Sequence, residues 1–138
     1  MAKMNMVQAL NMALKQEMEK DDGVIILGED VGRDGGVFRV TDKLIDKFGE
    51  NRVLDTPLAE AAIAGMSIGM AVYGLKPVCE IQFSGFSYES FHQIENHASR
   101  IRWRSNGMYS VPMVLRTPYG GGVRALEHHS ESREVYWA

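Results

Sequence analysis

The sequence has one cysteine, Cys79, in 138 residues. A lone cysteine excludes an internal disulfide and a cysteine-based zinc centre, and it points to a reducing, cytoplasmic setting. Excess positive charge is also lacking: 15 Lys+Arg stand against 18 Asp+Glu, a net charge of −3. A nucleic-acid-binding domain normally carries a basic footprint, so no nucleic-acid partner is expected. The one basic cluster, Arg100, Arg102 and Arg104, alternates with Ile101 and Trp103 and reads as a structural or interface feature. No apolar run reaches the ~20 residues that cross a bilayer. The most apolar stretch, Ala61 to Leu75, is interrupted by Ser67 and three glycines. With no signal-peptide pattern at the start, no membrane partner is expected. Repeats and low-complexity tracts are missing too. What is present, 45% apolar and 24% charged residues, sits near the globular average and suits one domain over residues 1–138.

Asn5 and Gln8 resemble a capping box, and Val7, Leu10, Leu14 and Met18 recur at helical spacing, which predicts a helix over 5–20. The glycine-flanked run Val24–Leu27 has the pattern of a strand buried on both faces. A loop follows from Glu29 to Phe38, then a helix over 41–48 stopped by Gly49 and a strand over 52–54. Thr56-Pro57 marks a boundary where proline suits the first turn of a helix, so a helix is expected from Pro57 to Tyr73. A strand over 77–81, a long helix from Tyr88 to about Arg104 and a strand over 112–116 complete the pattern. Strands alternating with helices predict an α/β fold, a three-layer arrangement with a parallel sheet covered on both faces. The chain ends on Val135-Tyr136-Trp137-Ala138 without a cap or stop signal, and is expected to be cut in mid-element.

All strand C-termini of a parallel sheet lie on one edge, where ligands favour the crevice. The residues expected there are Glu29 and Asp30, then Asp55 and Glu60, then Gln82, Phe83 and Phe86, and finally Gly120–Gly122 with His128 and His129. Carboxylates, aromatics and histidines thus converge as a binding site requires. Each has a plainer reading. Glu60 could simply favour the positive end of a helix dipole, Glu29-Asp30 could be turn chemistry, and the phenylalanines could be core. The His-His pair could be a solvated loop and the three glycines a flexible turn. The residues alone establish an α/β domain with a polar edge.

The runs Gly28-Glu29-Asp30-Val31-Gly32 with Gly35-Gly36-Val37-Phe38, Asp55-Thr56-Pro57-Leu58-Ala59-Glu60, Glu80-Ile81-Gln82-Phe83 through Phe86, and His129-Ser130 carry a resemblance. In order and without large gaps, the chain resembles the first part of the β subunit of the thiamine-diphosphate-dependent 2-oxo acid dehydrogenases. Such subunits belong to the first component of the pyruvate, branched-chain 2-oxo acid and acetoin complexes. The resemblance implies a transketolase-like pyrimidine-binding fold. It also implies that the family's C-terminal transketolase-like domain is absent here.

By motif, Glu60 matches the glutamate that hydrogen-bonds a ring nitrogen of the cofactor's aminopyrimidine and favours its imino form as the base. A carboxyl held in an apolar cleft can keep or share the proton that this requires. Phe86 matches the aromatic that stacks on the pyrimidine, with Gln82 and Glu29 beside the cofactor. Glu29 and Glu89 match acids that carry protons between distant active sites. His129 matches a histidine at the substrate mouth, acting after decarboxylation; Arg124 to His128 depart from the small and aromatic residues expected before it.

The family's Gly-Asp-Gly motif, which holds Mg²⁺ on the cofactor's diphosphate, is absent; Gly32-Arg33-Asp34-Gly35 differs in order and context. The resemblance therefore implies no metal ligands in this chain and places Mg²⁺ on a partner α subunit. Gly65-Met66-Ser67-Ile68-Gly69 matches a motif that packs a second β chain, although a face of small residues also suits packing on the chain's own sheet. A lipoyl-bearing transacylase core would be met through the missing C-terminal part. The expected activity is oxidative decarboxylation of a 2-oxo acid with acyl transfer to lipoyl groups, with the isolated chain inactive. Two other readings stay open: a transketolase-type thiamine enzyme subunit, and a catalytically silent assembly module.

Overall fold

The structure is a computed structural model and describes residues 3–138. Helix α1 (Met6–Lys20) begins at Asn5, whose side chain accepts from the Gln8 amide while Gln8 reaches back to the Asn5 amide. That reciprocal cap satisfies two otherwise orphaned donors. Strand β1 (Val24–Gly28) follows, buried along its whole length. The chain continues through α2 (Leu44–Phe48), β2 (Val53–Asp55), α3 (Glu60–Val72) and β3 (Lys76–Glu80). A 3₁₀ turn (Ser84–Phe86), α4 (Tyr88–Gln93), a π-helical stretch (Ile94–Ala98), α5 (Ile101–Arg104), β4 (Val114–Arg116) and a 3₁₀ turn at Glu134–Tyr136 complete it.

The four strands form one parallel sheet in the order β2-β1-β3-β4. Alternating side chains of β1 serve two cores. Val24 and Ile26 join Met18, Val31, Leu44 and Val53 on the side of α1 and α2. Leu27 joins Ile63, Cys79 and Ile81 on the side of α3. Each fully buried aliphatic side chain contributes about 1.5–3 kcal/mol of burial, so the sheet is held from both faces. At the N-terminal edge the Arg52 guanidinium donates to the carbonyls of Met18, Asp21 and Val24 at 2.8–3.0 Å, tying the end of α1 to β1.

Three expectations need correction. The segment Thr56–Ala59 stays non-helical, so α3 starts at Glu60 and not at Pro57, which makes the glutamate the first helical residue. The helix expected over 41–48 contracts to Leu44–Phe48, because Arg39 and Lys43 take positive φ and residues 40–43 form turns. The long helix expected from Tyr88 to Arg104 is broken into α4, the π stretch and α5, with Ser99 and Arg100 in a turn.

Candidate functional site

The register aligns the last residues of all four strands: Asp55 with Gly28, Gly28 with Glu80, and Glu80 with Arg116. A row of carboxylate, glycine, carboxylate and guanidinium therefore crosses the C-terminal edge of the sheet. Gly28 is required sterically, since a Cβ there would lie 2.7 Å from the Glu80 carbonyl oxygen. Glu80 is 3% exposed and pairs with Arg116. Burial pushes its carboxyl above the ordinary range, with the adjacent guanidinium opposing the shift. This ion pair was not legible in the sequence.

Asp55 organises the first loop. Its carboxylate accepts from the Gly32 amide at 2.6 Å and the Arg33 amide at 3.2 Å. A Cβ at Gly32 would stand 2.6 Å from the same carboxylate, so Asp55 and Gly32 are matched in space. Thr41 Oγ1 donates to the Val31 carbonyl from the other end of the loop. Glu29 and Asp30 are thereby held at the sheet edge.

Glu29 and Glu60 are each 8% exposed. The Glu29 carboxyl is pushed above the ordinary glutamate range, first by burial, then by the negative charges of Glu60 and Asp30. The structure thus brings together two acids 31 positions apart. Among the described residues neither carboxylate has a hydrogen-bond or ion-pair partner, and no side chain caps the N-terminus of α3. Close by in sequence, Thr56 Oγ1 is a buried polar atom without a partner among the described residues. Gln82 is half-buried and donates to Asp30 Oδ2 at 2.9 Å, so it is tied to the loop that carries Glu29.

The aromatics form one cluster. Phe83 packs edge-on against Phe38 (5.5 Å between centroids), Phe86 (6.0 Å) and His129 (4.6 Å), and Phe86 also meets His129 at 5.2 Å. Phe86 rests on the core that contains Ile63, one helical turn after Glu60. A cavity of about 110 Å³ opens between Phe38, Phe83, Tyr119, Gly120 and His129. His129 is thus placed with Phe86, while Glu89 is exposed on the first turn of α4. Cys79 is fully buried, and burial pushes its thiol up, which makes it a packing group.

Along α3, Gly65 faces Gln93 of α4, with the Gln93 side chain 3.7 Å from a Cβ built there; Gly69 is exposed and open. Part of the small-residue face is therefore used within the chain. The sequence reading missed the Asp55–Gly32 contact and the close approach of His128 to Gly85. Gly32 after Val31 and Gly85 before Phe86 were the available signals.

A parallel α/β domain covered on both faces, with acids and aromatics gathered at its C-terminal edge, has the crevice that open α/β sheets use for ligands. The chain belongs to the family described as transketolase, pyrimidine binding domain, which matches residues 2–138. It is similar to the pyruvate dehydrogenase E1 component subunit beta of Acholeplasma laidlawii, 56% identical over 135 residues, covering 98% of this chain and 41% of that protein. It is also similar to the 2-oxoisovalerate dehydrogenase subunit beta of Bacillus subtilis, 52% identical over 138 residues, covering 100% of this chain and 42% of the relative. A Staphylococcus epidermidis pyruvate dehydrogenase E1 component subunit beta is 53% identical over 134 residues. The chain spans about two fifths of the length of these relatives.

Proposed function

We propose that this chain supplies the pyrimidine-facing half of a thiamine diphosphate site in the first component of a 2-oxo acid dehydrogenase. The carrying observation is the buried Glu29–Glu60 pair at the end of the sheet, beside the Phe83–Phe86–His129 cluster. These residues fit a flat, polar heterocycle: Glu60 has a free carboxyl, Thr56 Oγ1 is an orphaned buried hydroxyl, and Phe86 is an aromatic neighbour. When bound, thiamine diphosphate supplies the electron sink for breaking the bond between the carbonyl and carboxylate carbons of a 2-oxo acid.

Glu60 would hold a proton at a ring nitrogen of the bound cofactor, and the adjacent Glu29, whose ionisation burial disfavours, would exchange with it. Gln82 fixes the loop that bears Glu29, and Phe86 stacks on the ring. His129 stands at the mouth, and Glu89 hands protons onward at the surface. A partner α subunit would hold Mg²⁺ and the diphosphate, Gly69 on the open part of the α3 face would meet a second β chain, and the assembled enzyme would pass the acyl group to a lipoyl-bearing core. The isolated chain is inactive.

Calorimetric titration of the reconstituted α/β assembly with thiamine diphosphate and Mg²⁺ tests this reading. Phe86→Ala is expected to weaken binding roughly 10-fold, the scale of one lost aromatic contact. Unchanged affinity would remove Phe86 from the cofactor site.

A further inference from the structure

Away from this edge, two histidines meet on the helical segment that packs against α3. His92 lies in the last turn of α4 and His97 in the π-helical stretch Ile94–Ala98. Their ring centroids are 5.5 Å apart, with planes at 74°. In a regular α-helix, residues five apart point about 140° away from each other, which would keep these rings separate. Here the turn is widened: the Ser99 amide donates to the Ile94 carbonyl, five residues back, at 3.0 Å. The inserted residue swings His97 round over His92. Single-turn π insertions of this kind occur frequently at functional sites.

Both imidazoles are exposed, and among the described residues neither has a hydrogen-bond or ion-pair partner. The nearby Glu95 is engaged by Arg100. The ring torsions of exposed histidines have broad minima, so two nitrogens can be aimed at one ion. We propose that His92 and His97 form a two-ligand site for a borderline divalent cation of the zinc, nickel and copper class. Imidazole nitrogen suits these ions, whereas Mg²⁺ prefers oxygen donors. Among the described residues no group of three or more His, Cys, Asp or Glu is placed to hold an ion. The remaining coordination positions are therefore open to water or to an exchangeable ligand. The ion bridges the two sides of the π turn and clamps the segment that lies on α3.

The probe is Cu²⁺, the strongest binder of the divalent series, titrated into the purified chain and followed by electron paramagnetic resonance. One ion is expected with two imidazole nitrogens bound, and excess Mg²⁺ is expected to leave it in place. His92→Ala and His97→Ala, exposed positions where alanine suits a helix, each lower affinity at least ~10-fold, the lower end of what loss of even a supporting group costs a metal site. The double variant His128→Ala/His129→Ala keeps the site. The proposal is overturned by wild-type Cu²⁺ affinity in both single variants, by binding that vanishes only with His128 and His129, or by displacement of the copper by Mg²⁺.

Discussion

His128 lies so close to Gly85 that a Cβ on the glycine would collide with the His128 carbonyl oxygen and Cα. Gly85 is buried and does not adopt positive φ, so its requirement is purely steric. The segment that carries His129 is seated on this gap, which lets the imidazole reach Phe83 and Phe86. Gly85→Ala must displace backbone on one side or the other. Urea unfolding is expected to show a loss of about 1–3 kcal/mol, the usual cost of overpacking. An unchanged midpoint would show that the loop does not rest on Gly85.

Glu29 gives a pH signature. Its folded carboxyl is raised above the ordinary value of 4.5, so the folded state holds the proton more tightly than the unfolded chain does. By linkage, stability from this group is fully present below that value and is lost as pH rises through the folded value. Glu29→Gln is therefore expected to stabilise the chain at pH 7 relative to wild type, with the advantage vanishing below about pH 4.5. Thermal melts across pH 4–8 check it; a constant difference at every pH contradicts it.

Strand Val24–Leu27 was legible because four consecutive apolar residues between glycines suit a strand covered on both faces, and the Asn5–Gln8 cap because its spacing is local. Glu29, Glu60, Phe86 and His129 were found as edge residues because each follows a strand. Other features depend on register or on packing across the fold. Glu80 and Arg116 are 36 positions apart, and only the β3–β4 pairing makes them neighbours. Pro57 suits a first helical turn, yet the chain stays non-helical through Ala59, which moves Glu60 to the head of α3. No glycine or proline interrupts residues 88–104, so nothing local announced the π stretch.

The Glu80–Arg116 pair predicts an asymmetry. Arg116→Met leaves a buried carboxylate without its cation and is expected to cost about 3–5 kcal/mol in denaturant unfolding. Adding Glu80→Gln should recover part of that loss, because the stranded charge is gone. A double variant no more stable than Arg116→Met alone would show that the pair acts only through packing.

The proposed division of a cofactor site between chains is tested on this chain alone. Calorimetry with thiamine diphosphate and Mg²⁺ is expected to show no binding in the micromolar range, about −8 kcal/mol. Binding that tight would reveal a phosphate site within these 138 residues, with the Gly120–Gly122 turn as the place to look.

Under the proposed function, Glu60 exchanges a proton with the cofactor. In a reconstituted α/β assembly, Glu60→Gln fills the same space and cannot exchange that proton. Steady-state decarboxylation of the 2-oxo acid is expected to fall at least ~10²-fold with assembly intact, the lower end of what a positioned acid or base contributes. Activity within about 3-fold of wild type, less than 1 kcal/mol in barrier height, would leave Glu60 as a partner of the α3 dipole and contradict the account.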